Sequence, residues 1–456
     1  MKVSHRDPAS GIRVNDCRPA SHLECDLLVV GGGAAGVAVA TTAARQGLDV
    51  LLVERYGFCG GGAVAGLSGT VCGLYEASRN AGSVPRQVVF GFADEFLRRL
   101  ADKGGVTSPV RYGQTYTRVH EPHVWRETAD RLLAEAGVRV LLHTLVTEVL
   151  TEGGERIAGA IASTKQGKLD IRARLTIDAS GDADIAAMAG LATFMGDNGR
   201  IQNPTMIFRL SGVDMPRFLA ARGPDSIMDD SVSKTIQRLH RANEYQLPRA
   251  KIFLFETPRP NELLCNATRI IGRDGRELNA VLTADFTEAE IEGRKQVREY
   301  ERFLRGHVPG CENAWLNDTG VQVGVRQTRQ IAGMQTLHNT DVTGKARFAS
   351  AIARSPWPIE LHSGEKPQLV WLFDDYYEIP YECFVPEFGE SILMAGRCLS
   401  AEHEAMASAR VTAQCFSYGH AIGHAAVLAV RDRIAPRAIS GAEIRALLNR
   451  DGAQLD

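Results

Sequence analysis

Residues 26–54, DLLVVGGGAAGVAVATTAARQGLDVLLVE, constrain this chain more than any other stretch. Residues 27–30 are an uninterrupted apolar run, the pattern of a strand covered on both faces of a parallel sheet. Gly31, Gly33 and Gly36 follow in G-x-G-x-x-G spacing. The first glycine allows a tight turn, the second lets backbone amides approach a pyrophosphate, and the third lets helix and strand pack closely. Residues 34–45 are small and helix-tolerant, and Gly47 stands where a helix-ending glycine belongs. Residues 49–53 read as the next strand, which Glu54 ends. From Gly31 to Glu54 is 54 − 31 = 23 residues, close to the spacing of about 20 expected for a carboxylate that binds a ribose hydroxyl.

The strand before the glycines, the helix after them and the terminal acid all favour a bound dinucleotide over a glycine-rich turn without a ligand. The helix N-terminus supplies partial positive charge under phosphates. An acid at the strand end disfavours a 2′-phosphate, which argues against NADP and leaves FAD and NAD.

Composition narrows the class. The 456 residues suggest two or three domains, and 44% hydrophobic with 23% charged residues is an ordinary globular balance. A net charge of −2 gives no sign of nucleic-acid or anionic-membrane binding. Nine cysteines without C-x-x-C pairs favour reduced thiols in a cytoplasm over a disulfide framework, a redox disulfide or an iron–sulfur site. Residues 1–23 read as a flexible leader with no apolar signal segment. The apolar run 411–430 contains Gln414, His420 and His424 and is too polar for a membrane span.

Along the chain, residues 55–70 hold six glycines in sixteen positions, which predicts a loop able to press backbone against a flat ring system. Helices are predicted over 88–103, over 121–137 with Pro122 at the start, and over 410–431. A further helix is predicted over 287–304, opened by a Thr287/Glu290 capping box. Residues 138–146 read as a strand, followed by a meander with turns at 153–154 and 166–167. Strands near 251–255 and 262–271 predict an antiparallel sheet, and residues 391–395 a short buried strand.

Several motifs together carry a family likeness. They are VVGGGAAGVAVA at 29–40, VERYGFCGGGAVAG at 53–66, IDASGDADIAAMAG at 177–190 and QNPTMIFRLSGVD at 202–214. The C-terminal half adds VGVRQTRQIAG at 323–333 and LMAGRCLSAEHEAMASARVTAQCFSYGHAIGHAA at 393–426. From residue 26 to about residue 455, the chain resembles the bacterial FAD-dependent oxidoreductases of the glutathione-reductase-like superfamily. The resemblance implies FAD, with Gly31, Gly33, Ala35 and Gly36 at the pyrophosphate and Glu54 and Arg55 at the adenosine ribose. Gly60, Gly61 and Gly62 are expected beside the phosphates and ribityl chain, and Val146 at the adenine through backbone groups. Ala179, Ser180, Gly181 and Asp182 resemble the turn that closes the adenine side. Gly396 and Arg397 end the strand whose following segment meets the ribityl chain, and Val411 and Thr412 begin the last helix, facing flavin N1 and O2. Related proteins often carry Gly-Asp where this chain has Gly396-Arg397. No second glycine fingerprint appears, so no separate NAD(P)H domain is expected.

The implied fold is α/β: a Rossmann-like FAD-binding domain (βαβ, parallel sheet plus β-meander) with an α+β substrate domain containing an antiparallel sheet. The FAD domain is expected to be discontinuous over 24–73, 119–203 and 376–431. A helical insertion covers 74–118, a substrate or cap domain 204–375, and a C-terminal helix and tail 432–456.

A flavin carries the electron chemistry, so the protein must supply a proton acceptor and charge. His403, between the 396–397 strand end and the last helix, and His362, in IELHSGE, are the candidate bases. The alternative for each is a structural histidine. Arg326 and Arg329, three apart and read as one helical face, could clamp a carboxylate or pair structurally. Arg410 has a claim on flavin O2 or a substrate carboxylate. Cys59 is a candidate for covalent flavin attachment against a small buried residue, and Tyr381 and Glu382 are weaker candidates at the substrate. His420 and His424 lie four apart on one helix face, and without a third ligand they read as packing residues, so no metal is expected.

The expected activity is that of a dehydrogenase, oxidase or reductase moving hydride between a small organic substrate and flavin N5. The alternatives are a flavin monooxygenase using external NAD(P)H and oxygen, and an FAD-binding electron-transfer subunit of a larger redox complex. Expected partners are a small-molecule substrate, an external electron acceptor or donor, and a second copy in a homodimer.

Overall fold

The structure is a computed structural model. It describes residues 22–80, 82–362 and 368–456, and the backbone pairing of His5–Arg6 with Arg13–Val14. The leader expected over 1–23 otherwise lies outside the described residues, apart from residues 22 and 23, which belong to the first strand of the main sheet.

That strand, β1 (His22–Val30), leads through the glycine turn into α1 (Ala34–Arg45) and then β2 (Val50–Val53). Leu27, Leu28, Val29 and Leu52 have no exposed surface. Each such side chain contributes roughly 1.5–3 kcal/mol through burial. Helix α2 (Phe92–Ala101) starts at Phe92, four residues later than the predicted helix, because Gly91 before it has φ +77° and cannot continue a right-handed turn. Helix α3 (Pro122–Ala136) begins at Pro122 and ends at Gly137 in the left-handed conformation, as the sequence predicts.

The strand predicted over 138–146 is broken. β3 (Arg139–Leu141) stops, His143 takes φ +52°, and β4 (Leu145–Glu152) starts in a new direction. The amides of His143 and Thr144 bond to the carbonyls of Tyr56 and Glu54, so the kink is pinned to the end of β2. β4 then forms the expected meander with β5 (Arg156–Thr164) and β6 (Gly167–Asp178).

These strands form one seven-stranded sheet in the order β3-β2-β1-β6-β5-β4. The first half of β6 pairs antiparallel with β5. Its second half, Thr176–Asp178, pairs in parallel with β11 (Ile392–Met394), which thereby joins the sheet. β6 also runs parallel to β1 from Asp170 to Asp178. One strand therefore brings the glycine turn, the 179–182 turn and the 395–397 turn to the same sheet end, as expected at the carboxyl ends of parallel strands.

A second core, residues 206–323, lies around a four-stranded antiparallel sheet. Its strands are β7 (Phe208–Ser211), β8 (Phe253–Glu256), β9 (Glu262–Asn266) and β10 (Trp315–Thr319), in the order β8-β9-β7-β10. Helix α4 (Thr283–His307) supplies Val297, Tyr300, Phe303 and Leu304 to this core. The helix starts four residues earlier than predicted. Thr287 is interior and donates to the Thr283 carbonyl, while Glu290 accepts from the Val323 amide, so neither forms the expected capping box. Ile331, Leu337, Ile352 and Ile359 pack into the first core, so the second core ends well before the boundary expected at residue 375.

The long helix α5 (Thr412–Arg431) lies against α1. A Cβ at Gly419 would come within 2.2 Å of the Ala35 carbonyl oxygen, so only glycine permits this approach. A separate short helix, His403–Ala409, precedes it, with Arg410 in the break. The C-terminal helix α6 (Gly441–Arg450) buries Ile444 and Leu448 against the first core. Among the described residues no helix is long and apolar enough to cross a membrane.

Candidate active-site cleft

The glycine turn is held by its own neighbours. Gly31 has φ +104°, and its amide donates to the Val53 carbonyl at 2.9 Å. A Cβ at Gly31 would meet the Ala179 oxygen at 2.4 Å, and one at Gly36 the Gly31 oxygen at 1.9 Å. Glu54, 5% exposed, accepts from the Gly32 amide at 2.7 Å and the Tyr56 amide at 2.9 Å. Burial raises its carboxyl, and those amides oppose the rise.

Gly33 and Gly62 differ from Gly31 and Gly36. Neither has positive φ, and a Cβ at Gly33 would find only the Gly61 Cα, at 3.8 Å, while one at Gly62 would find nothing within 4 Å. The protein itself does not need glycine at either position. Both open onto one cleft. Bare backbone facing empty space beside a helix N-terminus is what a bound pyrophosphate requires, so these residues fit the dinucleotide.

The cleft gathers most of the expected cofactor residues: Gly31, Gly33, Ala35, Glu54, Arg55, Gly60, Gly61, Gly62, Ala179, Ser180, Gly181, Asp182, Gly396, Arg397, Val411 and Thr412. Gly36 packs beneath the turn instead. Val146, paired with Ala162 in the sheet, is not among the lining residues. The loop 55–70 is not wholly irregular, since Gly61–Val64 makes one helical turn. Arg55 donates to Gln322, and Tyr56 bonds to the same oxygen.

The 178–182 turn is built from carboxylates. Asp178 accepts from the Ser180 amide and hydroxyl and from the amides of Ile185 and Ala186. Asp182 accepts from Thr328 at 2.6 Å and from Arg397 at 2.8 Å. Burial works against its charge, but the Arg397 guanidinium and these hydrogen bonds hold the carboxyl below its usual range. Asp184 is pushed up to about 6 by burial and by Asp182 and Asp178.

A second group of residues lines the same cleft. Arg326, 6% exposed, donates to the Asn203 carbonyl at 2.6 Å. Arg410 donates to the Gln202 side chain at 3.1 Å. Glu360 accepts from the Tyr112 hydroxyl at 2.6 Å and lies 3.3 Å from His362 Nε2. Burial pushes His362 down to about 3, and Arg326 adds to the effect. Glu360 is held below the usual carboxylate range: burial opposes its charge, but the hydrogen bonds of His362 and Tyr112 and the charge of Arg410 outweigh it. At neutral pH the pair is a carboxylate beside a neutral imidazole. Arg410 is lowered to about 10, chiefly by burial.

Other expected residues lie away from the cleft lining. His403 is not among the lining residues; it sits beside Gly196, and burial lowers its pKa. Arg329 is not on a helical face with Arg326. It lies in the strand Arg329–Ile331 and bonds to the Asp182 carbonyl and the Asp184 carboxylate. Cys59 has no exposed surface, lies under Gly32 and is pushed well up by burial, so it does not present a thiolate to the cleft. The Tyr381 hydroxyl bonds to the Pro436 carbonyl and Glu382 accepts from Ser350, and neither lines the cleft. His420 and His424 do have a third neighbour, which their spacing alone could not reveal: Asp451, just beyond α6, lies 3.1 and 2.9 Å from their Nε2 atoms.

The sequence reading missed Glu360, Tyr112 and Trp357. Glu360 could have been found, because it stands in the short strand Ile359–Leu361, two residues before His362. Tyr112 and Trp357 arrive from distant segments and carry no local signal.

A carboxylate-locked glycine turn at the carboxyl ends of a parallel sheet, continuous with a buried polar cleft, defines a dinucleotide-binding redox protein. Residues 26–448 match the model of the FAD dependent oxidoreductase family, and the chain belongs to that family. Its cofactor is FAD and it is an oxidoreductase. It is similar to a thiamine thiazole synthase of Methanoculleus marisnigri, 30% identical over 39% of this chain and 67% of that protein. An NADH:fumarate oxidoreductase of Klebsiella pneumoniae is 25% identical over 37% of this chain, which spans 21% of that protein's length. A digeranylgeranylglycerophospholipid reductase of Methanocella arvoryzae is 28% identical over 37% of this chain, which spans 43% of that protein. Among solved structures, a geranylgeranyl bacteriochlorophyll reductase-like protein of Thermoplasma acidophilum shares the fold at a TM-score of 0.50 and 15% identity. The match covers 94% of this chain and 84% of that one.

Proposed function

We propose that the protein is a dehydrogenase, oxidase or reductase of a small organic molecule. One observation carries this reading: the cleft that holds the bare glycine backbone also holds Arg326, Glu360, His362 and Arg410. When bound there, FAD supplies the two-electron acceptor or donor.

The roles follow from the residues. Gly31, Gly33, Ala35 and Gly60 to Gly62 form the pyrophosphate cradle, and Gly36 keeps α1 close beneath it. Glu54 keeps the turn in shape through the Gly32 amide and stands by the ribose with Arg55. Asp182 and Arg397 are an ion pair at the cleft wall, which explains why an arginine can occupy position 397. Arg410, Val411 and Thr412 present positive charge and a helix start at the flavin, which favours an anionic reduced ring. His362, neutral at neutral pH and held by Glu360, accepts or returns the substrate proton. Val146 and His403 have no role in this scheme.

The superfamily is that of glutathione-reductase-like flavoproteins of bacteria. The eight described cysteines are free, which supports a reducing cytoplasm. Two of the relatives above carry reductase or oxidoreductase names, which supports redox chemistry on an organic substrate. Anaerobic mixing of the yellow holoprotein with alcohols, amines and acids tests the proposal through loss of the flavin bands. Bands unchanged by every candidate, together with no oxidation of the chemically reduced protein by any candidate acceptor, would overturn it.

A further inference from the structure

Two buried arginines of this protein have opposite surroundings. Arg209, 3% exposed, is met by the carboxylates of Glu121, Glu262 and Asp318. It is a structural ion-pair hub, and its guanidinium is held above its usual range despite burial. Arg326 is buried as deeply, yet its hydrogen bond goes to the neutral carbonyl of Asn203. Arg410 bonds to the neutral Gln202, and Arg249, 2% exposed, to the Lys251 carbonyl and the Asn266 side chain. Burial lowers Arg326 well below the usual range, and Arg249 and Arg410 lower it further. Among the described residues, the acid that chiefly opposes them is Glu360, which is already engaged with Tyr112 and His362. The same carboxylate favours the charged form of Arg410 and, after the Tyr112 hydroxyl, that of Arg249.

Uncompensated buried charge is costly and persists where something else neutralises it. Arg326 and Arg410 both line the cleft, so the compensating group can enter from it. Aromatic rings line the cleft beside them: the Tyr112 ring stacks on Phe255 at 5.8 Å and lies 5.3 Å from Trp357.

We propose that this part of the cleft binds the carboxylate of the substrate through Arg326, with its apolar body against Tyr112, Phe255 and Trp357, so that the substrate is a small organic acid. This rests on the flavin reading above and narrows it. A planar guanidinium suits a planar carboxylate through paired hydrogen bonds, which an ammonium or an amide does not reproduce.

The test uses the oxidised holoprotein and three probes: benzoate, its uncharged isostere benzamide, and inorganic sulfate. Benzoate is expected to shift the flavin absorption bands saturably, while benzamide and sulfate at equal concentration do not. Arg326→Gln is expected to weaken benzoate at least tenfold at unchanged flavin content, since the charge-assisted bidentate pair is lost. Arg326→Lys keeps the charge without the fork, and retention of flavin with partial loss of benzoate affinity separates recognition from misfolding. Equal effects of all three probes, or none, on a yellow protein would overturn the carboxylate assignment and leave the flavin reading standing. So would an Arg326→Gln protein that sheds flavin but, once reloaded, binds benzoate as before. A colourless protein that takes up no flavin overturns both.

Discussion

Gly33 and Gly36 belong to one turn but are glycines for different reasons. A Cβ at Gly36 collides with the Gly31 carbonyl oxygen, whereas one at Gly33 clears the protein. Gly36→Ala is therefore expected to fail to fold or to lose many degrees of thermal stability. Gly33→Ala should melt within a degree or two of the wild-type apoprotein yet bind FAD at least about tenfold more weakly, a loss of about 1.4 kcal/mol. Calorimetry and flavin titration of the two variants separate packing from ligand clearance. His120 offers a pH prediction. The ring is 2% exposed and lies tilted against Trp125 at 4.5 Å, and burial pushes its pKa from 6.5 down to about 3. Between those values the unfolded chain holds a proton that the folded chain lacks. Stability is thus full above about pH 6.5 and falls as pH drops toward about 3. His120→Phe keeps the ring contact and removes the proton, so its melting temperature should decline less steeply from about pH 7 to about pH 5. An unchanged slope would show that other groups carry the acid sensitivity.

At the scale of elements, α5 and α6 are joined by a polar clamp. His420 and His424, one turn apart on α5, both reach Asp451 just beyond α6, and Gln46 after α1 lies 3.0 Å from His424 Nδ1. The two histidines hold the Asp451 carboxyl at about 2: bonding to His420 is the main cause, and burial opposes it. Asp451→Ala is expected to lower the melting temperature by a few degrees, about 1 kcal/mol after allowance for its half-exposed side chain, with flavin affinity unchanged. A variant that melts like the wild type would mean the clamp is ornamental. Elements whose limits are local were legible: α1 and α3 follow from glycine and proline positions beside apolar periodicity. The break between β3 and β4 was not, because the residues there are all strand-compatible. The kink is set by hydrogen bonds from His143 and Thr144 to the end of β2, 87 and 90 residues earlier in the chain. The start of α4 was misjudged for a related reason, since Glu290 spends its carboxylate on the Val323 amide and leaves none for a capping box.

For the whole molecule, the cofactor is a structural part as well as a reagent. Bare backbone at Gly33 and Gly62 and the open cleft between the two cores leave surface that FAD covers. Saturating FAD at about a hundred times its dissociation constant should stabilise the protein by about 2.7 kcal/mol. Melting of the holoprotein and of the protein stripped of flavin by acid ammonium sulfate measures this, and equal melting temperatures would contradict it. The sequence by itself determined that a dinucleotide turn forms and that Glu54 ends the strand after it, because glycine spacing, strand and helix there are set within neighbouring residues; that Glu54 also holds the turn through the Gly32 amide only the structure showed. It also determined the meander and the antiparallel second sheet, through alternation and turn residues. Only the tertiary structure decided which polar residues meet. Arg326, Glu360, His362 and Arg410, from three distant segments, line one cleft, whereas His403 lies beside Gly196. A side chain's electrostatic character depends on neighbours that arrive from far along the chain, and no local pattern records them.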